Sequence, residues 1–379
     1  MRIALLGAGT VGGGVIEIVD SAVPSLEVVK ILTLPNTYED PRVTYDIKDI
    51  VEDPTIDCVV EAMGGLEPAH SFIMRCLNAG KSVVTANKAV VAAYLPEFSQ
   101  AASKAGVGFF VEASSGGGIP WIAAIEKARR TDTITQISGI LNGTSNYIIY
   151  RMATLGASFD EVLKEAQALG YAEADPSADI DGIDVVNKCI ISTTLAFNTL
   201  CRRDIPVMGI RNLAKEDLEA FGAMGYGVRL MARATQDGQG YAAAVEPVLV
   251  PAASLEANVP DNFNLATLVG NFVGPLKFFG QGAGALPTGD AIVQDLLDCA
   301  AGQKPVYPRE ERLAWKPELL TSSYLVRTQA QDLLPEGAQV QESGLVLLDG
   351  LTAVAAAGLC QKLLSQDPTT FMAALATQD

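Results

Sequence analysis

Short apolar runs recur along the first third of the chain, at 2–7 (RIALLG), 28–34 (VVKILTL), 57–63 (DCVVEAM), 81–86 (KSVVTA) and 106–113 (GVGFFVEA). Between the early ones lie stretches of helical periodicity, VGGGVIEIV and HSFIMRCLNA. Such runs are too short for helices, and their alternation with helical segments predicts a parallel sheet wound by helices over residues 1–133. From 134 to 283 the order is mixed. TQISGILNG opens this part, a helix-rich block follows, and AAAVEPVLV reads as a strand, so an α+β domain is expected. The segment 282–300 reads as a glycine turn and an amphipathic helix at 284–300 that completes the first domain. The Pro- and charge-rich stretch GQKPVYPREERLAWKPE has linker composition and places a linker at 301–320. A tail over 321–379 carries a strand in SSYLVRTQ and a strand–helix pair in GLVLLDGLTAVAAAGLCQKLL. The fold class is therefore α/β, with an α+β second domain and a short tail.

Composition narrows the function classes. A net charge of −17 disfavours a phosphate backbone or an anionic membrane surface as partner, because each requires a cationic patch. No stretch reaches the roughly 18 uninterrupted apolar residues of a spanning helix, and the apolar run near the first residue is shorter than a signal-peptide core. A cytoplasmic protein is expected, with no nucleic-acid or membrane partner. The 6 cysteines form no CxxC pair and read as reduced, structural thiols. His70 is the 1 histidine, too little for a His-rich metal site or a conventional triad.

Gly7, Gly9 and Gly12 form GxGxxG between a strand and a helix. In that context the first glycine makes the tight turn, the second admits a pyrophosphate, and the third lets helix pack on strand. The phosphates then meet a helix N-terminus. A ribose-reading acid or an arginine for a 2′-phosphate is due at the end of the second strand, where the sequence reads ILTLPNTYED. Only a folded-back loop would bring Asp40 or Arg42 there, which leaves NAD and NADP both open. Lys88 stands just past the carboxyl end of a strand, where open sheets bind ligands. Glu112-Ala-Ser-Ser115-Gly-Gly117-Gly-Ile119-Pro offers a backbone that can expose carbonyls to a cation, approach a cofactor, or merely hinge.

The block 170–188 is the richest in chemistry. Asp184 and Lys188 are one helical turn apart, on a face that continues through the apolar Ile191 and Leu195, so the lysine is drawn toward the interior. A partly buried lysine needs nearby acids, and its proton affinity is easily moved toward the range useful for proton transfer. Glu173, Asp179 and Asp184 supply carboxylates that also suit a substrate ammonium. The spacing fails that of an EF-hand calcium loop.

GAGTVGGG, VVEAMGG, TANK, EASSGGGIP, GILNGTSNYI, ALGYAEADPSADIDGIDVVNK and GAGALPTGDAIVQDLL occur in the order and approximate spacing of homoserine dehydrogenases, which the chain resembles over about residues 1–300. The resemblance implies hydride transfer between L-homoserine and L-aspartate 4-semialdehyde with NAD or NADP, in threonine and methionine biosynthesis. It further implies a Rossmann-type dinucleotide domain, a second domain serving catalysis and dimerisation, and a homodimer or higher homo-oligomer. By the same likeness Gly7, Gly9, Thr10, Val11, Gly12, Met63, Gly64, Lys88, Gly170 and Gly284 line the dinucleotide. Glu173, Asp179, Asp184, Gly143 and Thr144 contact substrate. Lys188 is the proton donor and acceptor, with Lys88 a second lysine near the reacting centre. Carbonyls of Glu112, Ser115, Gly117 and Ile119 match a monovalent-cation site, commonly sodium. Two departures stand out: the second strand lacks the family's frequent Arg-Asp ending, and Thr288-Gly289 replaces Thr-Ala.

An acylating dehydrogenase would need an activated cysteine in a glycine turn, and none is present. The alternative from another class is a catalytically silent dinucleotide sensor, whose mark would be loss of Lys188 or the acids. The tail is expected to be a truncated ACT-like module: the segment 329–344, broken by Pro335 and Gly337, is too short for the first helix and strand of a βαββαβ order. A structural or oligomerising role without threonine feedback follows.

Overall fold

The computed structural model describes residues 1–376, and the chain divides into two compact units. The first comprises Met1–Arg130, Thr194–Arg203 and Gly280–Arg312; the second comprises Thr131–Thr193, Asp204–Phe279 and the chain from Leu313 on.

The first unit opens with β1 (Arg2–Leu6), α1 (Thr10–Ala22), β2 (Glu27–Leu32), β3 (Val43–Thr44), α2 (Lys48–Val51) and β4 (Cys58–Glu61). It continues with α3 (Ala69–Asn78), β5 (Ser82–Thr85), α4 (Lys88–Ala105), β6 (Phe109–Phe110) and α5 (Trp121–Ala128). The strands are parallel and lie in the order β3-β2-β1-β4-β5-β6. This is the doubly wound arrangement that the alternating apolar runs predict, with its switch point beside β1. Ile3, Leu5, Ile31 and Val60 are buried because helices cover both faces of a parallel sheet.

The second unit contains β7 (Ile134–Ile140), α6 (Gly143–Leu155), α7 (Phe159–Ala168), α8 (Ser177–Ile180) and the start of α9 (Ile183–Phe197). After α10 (Lys215–Ala223) come β8 (Tyr226–Gln236), β9 (Gly240–Pro251), β10 (Phe263–Gly270) and β11 (Gly274–Gln281). The chain then supplies α11 (Ala285–Ala300), which belongs to the first unit. There Val293, Ile292 and Leu296 fill the core beneath β1 and β4.

The rest of the chain forms β12 (Ala314–Trp315), β13 (Thr321–Arg327), β14 (Gln339–Val340), β15 (Val346–Thr352), α12 (Ala353–Gln366) and β16 (Phe371–Leu375). All of these strands join one 10-stranded sheet, β11-β10-β7-β8-β9-β16-β13-β15-β14, with β12 beside β9. The tail strands β16-β13-β15-β14 reproduce the sheet order of a βαββαβ module, but a 3-10 turn at Gln331–Leu333 stands where its first helix would be. Strand β16 pairs parallel with β9, so the tail continues the second unit's own sheet. Glu246 of β9 fastens it: this buried carboxylate accepts from Arg233 of β8 at 2.8 Å and from Tyr324 of β13 at 2.9 Å.

Residues 301–312 are held by definite contacts within the first unit. Tyr307 is buried edge-on to Phe109, with ring centroids 6.3 Å apart, and its carbonyl accepts from Ser99.

Candidate active site

Each glycine of the nucleotide motif has its own steric reason. Gly7 has φ +100°, and a side chain there would lie 2.9 Å from the Ala62 carbonyl oxygen. Its N–H donates to Leu32 O at 2.9 Å, which turns the chain sharply out of β1. Gly9 is the extended residue before α1, and a Cβ there would meet nothing within 4 Å, so the space above it is open for a ligand. A Cβ on Gly12 would come within 2.2 Å of Gly7 O. No side chain caps α1, whose first-turn N–H groups, with Thr10 exposed and Val11 half-buried, are free for a phosphate. Opposite this turn, Gly284 precedes α11 with φ +126°.

The loops after β4 and β5 are organised by Glu61, a fully buried acid that sequence reasoning passed over. One carboxylate oxygen accepts from Met63 N at 2.9 Å and Gly64 N at 3.3 Å, and the other accepts from Thr85 Oγ1 at 2.6 Å. Asn87 caps α4 through its carbonyl oxygen and donates to Gly65 O at 2.7 Å. Lys88, half-buried, is the first residue of that helix. An acid closing the otherwise apolar run CVVE was the available signal. Just before β3, and beside β2 rather than beyond its end, Arg42 grips Asp20 at 2.9 and 3.0 Å and Asp40 at 2.8 and 2.9 Å. The guanidinium in turn holds the Asp40 carboxyl below its usual range.

In the second unit, Lys188 donates from Nζ to Leu141 O at 2.6 Å and lies 2.9 Å from Asp184 Oδ2. Both residues are buried. Asn142, the N-cap of α6, binds the acids together: Nδ2 donates to Asp179 at 2.6 Å and to Asp184 at 2.9 Å, while Oδ1 accepts from Ser145 N at 2.7 Å. Burial, with the Asp184 charge beside it, raises the Asp179 pKa, and the Asn142 hydrogen bond opposes the rise. Gly143 begins α6 where a Cβ would lie 2.7 Å from Asn262 O, and Thr144 donates to Tyr171 O at 2.6 Å. Gly182, with φ +84°, turns the chain between α8 and α9 so that Asp179 and Asp184 converge.

The other residues of the block separate from this cluster. Asp181 pairs with Arg211 at 2.6 Å, and Asp175 caps Ser177. Glu173 is exposed on the loop before α8, so the structure gathers two of the three expected acids and leaves the third outside. Gly170, with φ +77°, lies after α7 in the second unit.

The Glu112–Ile119 loop belongs to the first unit. Gly116 and Gly117 have positive φ, and a Cβ on Gly117 would lie 2.3 Å from the backbone of Gly282. The Glu112 side chain accepts from Ile122 N at 3.0 Å and Ala123 N at 2.6 Å, capping α5, and burial pushes its carboxyl up to about 7. Ser115 Oγ is buried without a hydrogen-bond partner. Among the described residues no group of three or more His, Cys, Asp or Glu side chains is placed to hold a metal.

A doubly wound sheet with an open glycine turn, joined in one chain to a buried lysine among acids, defines an NAD(P)-dependent oxidoreductase. The comparisons make this specific. Residues 7–112 match the family description "Homoserine dehydrogenase, NAD binding domain", and residues 120–297 match "Homoserine dehydrogenase". The chain is 41% identical to a homoserine dehydrogenase of Synechocystis, over 79% of this chain and 73% of that one. It is 33% identical to one of Bacillus subtilis, over 88% and 82%. A crystal structure of a homoserine dehydrogenase from Thiobacillus denitrificans superposes with a TM-score of 0.87 at 32% identity, over 99% and 98% of the two chains. The chain belongs to the homoserine dehydrogenase family. None of these likenesses supports a silent sensor.

Proposed function

We propose that this homoserine dehydrogenase uses Lys188 as the proton acceptor and donor in interconverting L-homoserine and L-aspartate 4-semialdehyde, with Asp179 and Asp184 holding the substrate ammonium. The observation that carries this reading is the Asn142–Asp179–Asp184–Lys188 cluster, in which the half-buried Asp179 carboxylate joins the buried Asp184–Lys188 pair. In alcohol oxidation the substrate C–H bond yields a hydride to the nicotinamide while its hydroxyl proton passes to Lys188 Nζ. In aldehyde reduction Lys188 returns that proton. Gly143 and Thr144 bring α6 N–H groups beside the acids, which suits the substrate carboxylate. Glu173 joins the substrate contacts only if its loop moves inward.

Gly7, Gly9, Thr10, Val11 and Gly12 hold the pyrophosphate, and Met63, Gly64, Lys88 and Gly284 complete the dinucleotide surface. The Glu112–Ile119 loop suits a sodium-like cation through the carbonyls of Glu112, Ser115, Gly117 and Ile119. The partnerless, buried Ser115 Oγ supports that fit. Such an ion would fix the loop against the Gly282 turn. The enzyme acts in the cytoplasm as a homodimer, and the tail has a structural role without threonine feedback.

Nicotinamide absorbance followed with L-homoserine and each cofactor tests the assignment. With Arg42 engaged by two acids, kcat/KM for NAD and NADP differs by less than about 10²-fold. Absence of turnover with either cofactor overturns the reading.

A further inference from the structure

The strand order β3-β2-β1-β4-β5-β6 divides the dinucleotide crevice at β1, where the glycine turn suits the pyrophosphate. In such a sheet the end of β2 serves the adenosine ribose, so the nicotinamide half falls to the other side, over the ends of β4 and β5. That side is built around one carboxylate. Glu61, the last residue of β4, pairs in register with Thr85, the last of β5, and both are fully buried. Glu61 Oε2 accepts from Thr85 Oγ1 at 2.6 Å, while Oε1 accepts from Met63 N at 2.9 Å, Gly64 N at 3.3 Å and Asn87 Nδ2 at 3.5 Å. Thr85 Oγ1 accepts in turn from Asn87 N at 3.0 Å, and Asn87 Nδ2 donates to Gly65 O at 2.7 Å. The loop after β4 and the start of α4, where Lys88 stands, are thus fastened to each other through Glu61, Thr85 and Asn87. Each of these partners of the carboxylate is a donor. A glutamine would offer one acceptor oxygen and turn an amide donor toward Thr85 or the loop, so a carboxylate alone serves both sides by acceptance. It also places a negative charge in a buried setting, where charge acts over a longer range than in water.

We propose that Glu61 is a positioning residue for the nicotinamide half of the dinucleotide, setting Met63, Gly64 and Lys88 as one unit and favouring the oxidised ring over the reduced one. This role presupposes that those three residues line the dinucleotide. The oxidised nicotinamide ring is a cation and the reduced ring is neutral, so a buried anion behind their common loop stabilises the first and leaves the second nearly unaffected. Thr85 carries no charge and transmits only position, so its hydroxyl matters to both redox forms alike.

The test is calorimetric titration of the full-length protein with NAD⁺ and NADH and with NADP⁺ and NADPH, set beside steady-state kinetics. Glu61→Gln is expected to weaken the oxidised form on the order of tenfold and the reduced form far less. Thr85→Val raises the KM of both forms several-fold and leaves the KM for L-homoserine unchanged, since Asp179 and Asp184 belong to the second unit. Thr85→Ser, which keeps the hydroxyl, retains wild-type KM values even though the lost methyl group lowers its melting temperature. Equal changes in the two Kd values of a folded Glu61→Gln protein, or none, overturn the proposal. Should Glu61→Gln not fold, the two Thr85 variants decide: unchanged dinucleotide KM in Thr85→Val, or equal loss in Thr85→Ser, overturns it. A wild-type chain that binds neither redox form overturns the dinucleotide site and this role together, whereas one that binds both while the variants match it overturns this role alone.

Discussion

Asn142 carries more of the proposed substrate site than its place in a short turn suggests. It caps α6 and donates to both Asp179 and Asp184, and the donated hydrogen bond lowers the Asp179 pKa. Removing it lets that pKa rise, so the ionised form needed to hold an ammonium is lost at higher pH. Asn142→Leu is expected to raise the KM for homoserine several-fold more at pH 6 than at pH 8.5 and to cost about 1 kcal/mol of stability through the lost cap. An equal KM change at both pH values would show that Asn142 only caps the helix. The Asp184–Lys188 pairing was legible because one helical turn and an apolar continuation fix its geometry. Asn142 and Glu61 were not, because their value lies in partners 37 and 24 residues away that only the fold supplies. Glu173, read with Asp179 and Asp184 as one set of carboxylates because the three lie close in sequence, is exposed on the loop before α8.

Among the elements, α1 and α11 illustrate how a departure from family pattern acquires a reason. Gly14 and Gly289 face each other, and a Cβ on Gly14 would lie 2.1 Å from Ala285 O. A methyl group at 289 must push the two backbones apart. Overpacking of this kind typically costs about 1–3 kcal/mol, so Gly289→Ala should lower the free energy of unfolding by about that much, seen as a lower urea midpoint, and weaken dinucleotide binding. An unchanged midpoint would mean that the helices separate freely. The parallel strands were readable as continuous apolar runs, whereas β8 was not, because buried Arg229 and half-buried Arg233 interrupt its pattern. Arg229 is satisfied by carbonyls of Val228, Glu256, Ala257 and Val259, and Arg233 by Glu246. Asn264 and Thr267 obscure β10 in the same way. In the tail, the segment 329–344 holds a 3-10 turn where a helix would be, but it also holds the short strand β14, which the sequence reading left out, and the strand β16 that joins the tail to β9 depends on a long-range pairing no local pattern reveals.

For the whole molecule, buried acids set the pH dependence of stability. Burial raises Glu112 to about 7 and also raises Asp179, Glu246 and Asp295. A carboxyl whose pKa is higher folded than unfolded binds more proton in the folded state, so the stability it contributes is present at low pH and lost as pH rises through that window. Asp237 and Asp367, held at about 2 by their hydrogen bonds, act oppositely but only below their unfolded range. Between pH 5 and pH 7.5 the raised group prevails. Urea midpoints should fall across this interval, and Glu112→Gln should flatten the slope. A midpoint that rises with pH there would show that these acids are already ionised in the folded chain.

The most direct measurement is the turnover of Lys188→Ala with L-homoserine, set beside its dinucleotide affinity, in protein that still melts cooperatively. Loss of a general acid–base is worth on the order of 10²–10⁴ in kcat, with dinucleotide Kd unchanged because the pyrophosphate is held at Gly7–Gly12 on other elements. A folded Lys188→Ala enzyme with near-normal kcat would contradict the account and move the proton transfer to Lys88.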